Sequence, residues 1–129
     1  EQINAGLDRC RGDYIVANDD DDIWTPGAFA AIRAAALAHP GRLLLFRFRS
    51  YVGGGFVFWH TPGLEWVRQG HIGGHSLVMP NIPGKVGRRT TTRYEADFDQ
   101  IVDAIRRHAP VEPVWCDYVI ASQRPQEDR

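Results

Sequence analysis

Asp19-Asp20-Asp21-Asp22 directly follow the short apolar segment Tyr14-Ile15-Val16-Ala17, and few folds can hold such a junction. Four adjacent carboxylates repel one another and resist burial unless something neutralises them. The segment before them is β-branched in its middle and bounded by Asp13 on one side and the acids on the other. It therefore reads as a buried strand, and the acids stand at its carboxyl end. In open α/β sheets that end is where ligands bind.

The rest of the chain alternates helical and extended patterns. Ile3, Leu7 and Cys10 fall at helical spacing with Gly12 as a stop. Thr25 reads as an N-cap with Pro26 at the first helical position, and alanine-rich Ala28 to His39 predicts a helix to about Pro40. Leu43-Leu44-Leu45-Phe46 runs into the alternation Phe46, Arg47, Phe48, Arg49, a strand buried on one face at its far end. Gly53-Gly54-Gly55 breaks it, and Val57-Phe58-Trp59 reads as a return strand. After turn-rich Thr61 to Gly74, Ser76 to Met79 forms one more short strand, and Asn81 to Arg93 is a loop with four basic residues. Phe98, Ile101, Val102 and Ile105 share one helical face from Asp97 onward. Arg106, Arg107 and His108 close that helix where cations oppose its dipole. Val114 to Ala121 is a last strand. Helices alternating with strands predict an α/β domain whose sheet is mostly parallel and flanked by helices.

Composition excludes several classes. A chain of 129 residues with 43% hydrophobic and 24% charged residues is globular and fits one domain. No stretch approaches the ~18 apolar residues of a membrane span. A net charge of -1 gives no general attraction to nucleic acid or anionic lipid. Cys10 and Cys116 make no disulfide framework, so reduced thiols in a cytoplasmic protein are expected. Homo-oligomerisation is left open. A first residue other than methionine, in a helical pattern already under way at Ile3, predicts that the chain starts inside a larger protein.

A loop of four carboxylates is stable mainly when a cation neutralises it. An EF-hand does not fit, because Ile23, Trp24 and Ala30 occupy its third-ligand, glycine and glutamate positions. Two readings stay open on the acids alone: a hard-metal site for Mn2+ or Mg2+ completed by water and substrate phosphate, or a solvated acidic turn before the helix. His71 and His75 are four apart, but Gly73 and Gly74 between them argue against a helix-borne zinc pair.

Asn4-Ala5-Gly6-Leu7, Gly12-Asp13-Tyr14-Ile15, Asp19 to Trp24 and Pro26-Gly27-Ala28 together resemble the segment of family 2 glycosyltransferases, of GT-A fold, that carries the DxD motif. The resemblance implies a Rossmann-like domain over residues 1–122, lacking the N-terminal nucleotide-binding strands, and a polar tail over 123–129. Asp19 and Asp21 match the two metal-site acids, with Asp20 and Asp22 supporting them and Trp24 lining the nucleotide-sugar site. His71-Ile72-Gly73-Gly74-His75-Ser76 resembles the acceptor-side stretch, which implies acceptor contacts at Gly73, Gly74 and His75. Tyr94-Glu95-Ala96-Asp97-Phe98-Asp99 resembles the segment holding the general base of inverting members. Asp97 aligns with that acid, while Ala96 stands where the family has glutamate and leaves Glu95 and Asp99 as alternatives. His108 is the only histidine after Asp97 and lies in the helical pattern, so a histidine metal ligand is not expected.

The implied activity is metal-dependent transfer of a sugar from a UDP- or GDP-sugar to a saccharide or other hydroxyl acceptor. The basic loop with Arg88, Arg89 and Arg93 would then close over the diphosphate. Two other classes fit the same acids: a non-catalytic carbohydrate- or metal-binding module, and another metal-dependent nucleotide enzyme such as a nucleotidyltransferase.

Overall fold

The period-2 alternation of side chains along one strand decides the layering of this molecule. The computed structural model describes residues 2–17, 22–51, 56–59, 61–68, 72–90 and 96–123. Strand β3 (Leu44–Ser50) and the residue before it send Leu43 and Leu45 to one face, and Leu44 and Phe46 to the other. Each of the four is at most 1% exposed. Burial on both faces is why the run is continuously apolar, and each such side chain contributes about 1.5–3 kcal/mol.

Helices cover both faces. Leu43 and Leu45 pack in a cluster with Leu7 of α1 (Gln2–Arg9) and with Ile101 and Ala104 of α3 (Ala96–His108). Leu44 and Phe46 pack with Ala28 and Ile32 of α2 (Ala28–Ala38). Helix α2 begins two residues after Pro26, because Thr25 to Ala28 forms a turn closed by the Ala28 amide on the Thr25 carbonyl at 3.0 Å. Gly27, at φ 81°, is the N-cap in place of the expected Thr25.

The sheet is mixed, which corrects the mostly parallel arrangement expected from sequence. Its order is β1 (Tyr14–Val16), β5 (Leu77–Pro80), β3, β6 (Val114–Gln123) and β2 (Asp22–Trp24), with β4 (Phe56–Phe58) also paired to β3. Among the described residues only β3 and β6 pair in parallel; β1 with β5, β2 with β6, and β3 with both β4 and β5 are antiparallel. A parallel return needs a crossover of a dozen or more residues, usually helical. The intervals before β2 and β4 are too short for one. Before β5 the described residues hold only two 3-10 turns, Leu64–Trp66 and Gly74–Ser76.

No helix among the described residues is long and apolar enough to cross a membrane.

Candidate functional site

The strand directions bring three distant segments to one end of the sheet. Strands β1, β3 and β6 run the same way, so Val16 and Ala17 mark the carboxyl end of β1. Strand β5 runs against them with Val78 opposite Val16, which puts its leading residue Leu77, and the turn Gly74–Ser76 before it, at that same end. Strand β2 pairs with the last residues of β6, with Asp22 opposite Gln123.

Asp22 and His75 meet there. Asp22 Oδ2 is 2.7 Å from His75 Nε2, and the Asp22 side chain is only 1% exposed. The His75 ring lies on Phe48 of β3, with centroids 4.7 Å apart and planes inclined by 35°. Phe48 in turn stacks on Phe58.

The glycine pair permits two close approaches. A Cβ on Gly73 would stand 2.9 Å from Cζ of Phe48, and one on Gly74 would stand 3.1 Å from the Cβ of Asp97. Neither clearance suits a side chain on this backbone. Asp97 lies in the first turn of α3, where its charge complements the helix dipole. Its Oδ1 accepts the Phe98 amide at 2.8 Å, and its Oδ2 faces the Gly74 amide at 3.4 Å.

These groups border a cleft of about 50 Å3 lined by Ala17, Gly74, His75, Arg89, Asp97 and Gln100, with Met79 in its apolar floor. Ala17 is the last described residue before the acidic run. Asp19, Asp20 and Asp21 lie outside the described residues, as do His71, Arg93, Tyr94 and Glu95. Among the described residues no group of three His, Cys, Asp or Glu side chains could hold a metal ion. The carboxylates of the run are hard oxygen donors that suit Mg2+ or Mn2+.

Other predicted residues are placed elsewhere. Trp24 packs in the α2-side cluster, with its ring 4.7 Å from that of Phe29, on the sheet face opposite the cleft. Gly73 is buried behind the cleft wall against Phe48. His108 is buried at the end of α3. Trp59 is a core residue, edge-on to Trp115 at 5.1 Å.

The basic loop divides its arginines. Arg88 Nη1 donates to Asp8 Oδ1 of α1 at 2.7 Å, and that hydrogen bond holds the Asp8 carboxyl below the usual carboxylate range. Arg89 instead reaches the cleft. Gln100, which sequence reasoning missed, is 2% exposed and donates to the Gly87 carbonyl at 3.1 Å. Its spacing three residues after Asp97 on one helix face was the available signal.

The sequence model of the family described as Glycosyl transferase family 2 matches residues 1–99. That span takes in β1, the acidic run, the Gly74–Ser76 turn and Asp97. No curated protein matches the chain.

Proposed function

The chain belongs to glycosyl transferase family 2, and from that premise we propose that it moves a sugar from a UDP- or GDP-sugar to an acceptor hydroxyl in a metal-dependent reaction. One observation carries the reading. Asp97 and the Gly74-His75 turn line a single cleft whose rim is Ala17, the last described residue before the acids. Two of the three suggestive segments thus share one site, and the chain leading into the third lines it, which supports grouping the acids with them.

Asp19 and Asp21 are the proposed metal ligands, with water and diphosphate oxygens completing the coordination. A bound Mn2+ or Mg2+ would supply Lewis-acid stabilisation of the departing nucleoside diphosphate. Asp97 is the proposed general base. Its Oδ1 accepts the Phe98 amide and its Oδ2 the Gly74 amide at the longer 3.4 Å, and the residue lines the cleft where an acceptor hydroxyl can approach. Removing that proton during attack typically contributes ~10²–10⁴ in rate. His75 and Gly74 are proposed to bound the acceptor side. Asp22, expected from the resemblance to support the nucleotide-sugar site, is proposed instead to support the acceptor side by holding His75.

Calorimetric titration with Mn2+ and UDP or GDP tests the reading, comparing the native sequence with Asp19→Asn/Asp21→Asn. Metal-dependent nucleotide binding that the double variant loses is the expected result. Nucleotide binding that the double variant keeps would overturn the metal assignment. Sugar binding with no nucleotide affinity would favour a carbohydrate-binding module instead.

A further inference from the structure

We propose that Arg89 forms an oxyanion subsite in the cleft, so that a phosphate or carboxylate group of a substrate binds beside Asp97. The inference rests on the cleft being the transfer site and adds to it the chemistry of one ligand group.

The loop carrying Arg89 is tied down before any ligand arrives. Asn4 grips its backbone from α1, donating from Nδ2 to the Arg89 carbonyl at 2.8 Å and accepting the Arg89 amide on Oδ1 at 3.0 Å. On the preceding residue the Arg88 amide donates to Asp103 Oδ2 at 2.8 Å, while the Arg88 guanidinium is held by Asp8. Gly87 is wedged against α3, where a Cβ would stand 2.6 Å from both the Gln100 carbonyl oxygen and the Ala104 Cβ. A segment fastened to two helices presents Arg89 from a held backbone.

The fastening separates the fates of two adjacent cations. The Arg88 guanidinium is engaged by a carboxylate, whereas among the described residues the Arg89 guanidinium hydrogen-bonds the neutral side chain of Gln100, with Nε 3.5 Å from Oε1. Arg89 is half-buried, and its side chain lines the same cleft as Asp97. A guanidinium offers a rigid fork of donors that fits phosphate and carboxylate oxygens two at a time. In a partly desolvated cleft such a pair is less screened than on the surface.

The oxyanion could belong to the donor diphosphate or to a phosphorylated or carboxylated acceptor. The experiment separates them. Inorganic pyrophosphate and inorganic phosphate, without metal, are titrated into the native protein and into Arg89→Met, Arg89→Lys, Asn4→Ala and Arg106→Gln. UDP and GDP with Mn2+ are titrated in parallel, and circular dichroism checks each fold. Saturable binding of at least one inorganic anion should weaken at least tenfold in Arg89→Met, recover in part in Arg89→Lys, and weaken in Asn4→Ala with the charge still present. Arg106→Gln removes a charge from an exposed position of α3 and should leave binding unchanged. If Mn2+-dependent UDP or GDP binding falls in step, the oxyanion is the donor's. If nucleotide binding is unaffected, it is the acceptor's.

No saturable binding of either anion by the folded native protein would overturn the proposal. So would equal binding by Arg89→Met, or an equal loss in Arg106→Gln. Each of these three failures leaves the transferase reading intact where Mn2+-dependent nucleotide binding persists. The transferase reading fails separately, through the Asp19→Asn/Asp21→Asn comparison.

Discussion

Asp22 and His75 hold each other at 2.7 Å across the end of the sheet, joining the residue that closes the acidic run to the turn that abuts Asp97. The contact is shielded from water on the carboxylate side, so removing the imidazole leaves a buried charge without this partner. His75→Ala should lower unfolding stability by about 3–5 kcal/mol in urea titration. A double-mutant cycle with Asp22→Asn should return a coupling above ~1 kcal/mol. Additive losses would mean that the two side chains act independently.

Asp97→Asn keeps the shape of the side chain and an oxygen for the Phe98 amide, but loses the basic carboxylate. If Asp97 is the general base, transfer measured with a UDP- or GDP-sugar should fall ~10²–10⁴-fold while Mn2+-dependent nucleotide affinity stays within about threefold. A fall in nucleotide affinity of similar size would reassign Asp97 to binding.

Burial pushes the His108 imidazole below its ordinary range, and nearby Lys85 and Arg42 add to the effect against an opposing hydrogen bond with the Lys85 backbone. The folded state therefore takes up a proton here less readily than the unfolded chain does. Its contribution to stability is complete above about pH 6.5, the unfolded value, and is lost as pH falls through the lower folded value. Urea midpoints at pH 7.5 and pH 5 should differ more for the native protein than for His108→Gln. Equal differences would remove His108 from the pH response.

The two cysteines should report different environments. Burial raises the Cys116 thiol to about 11, whereas Cys10 is exposed. At pH 7.5 a thiol reagent should modify Cys10 rapidly and Cys116 only on unfolding, and Cys10→Ser should leave almost no fast labelling. Fast modification of Cys116 in the folded protein would show that its face of the sheet opens.

How much of this was legible in sequence depends on whether the cause was local. The strand at Leu44 and the helix at Asp97 were readable because burial on two faces and on one stripe leaves a continuous run and a helical period. Strand β2 was not, because Asp22-Ile23-Trp24 is too short for a period, opens on a charge and pairs only with the distant end of β6. The Asp22 to His75 contact was invisible for the same reason: each side chain had a plausible local role, and only the mixed strand order brings them together. Arg88 and Arg89 looked alike as neighbours in a basic loop. What separates them is the pair Asn4 and Asp8, one turn apart on α1, with Asn4 gripping the backbone of Arg89 and Asp8 the side chain of Arg88.

Strand β3 is flanked on both edges as well as covered on both faces, with β6 along one side and β5 then β4 in tandem along the other. The backbone amides of Leu44 and Leu45, paired on both sides, therefore have no local route to solvent, and deuterium should enter them only when the whole domain opens. Their exchange rates make a built-in gauge of global stability. Against that gauge, a substitution that merely loosens the cleft can be told apart from one that unravels the fold.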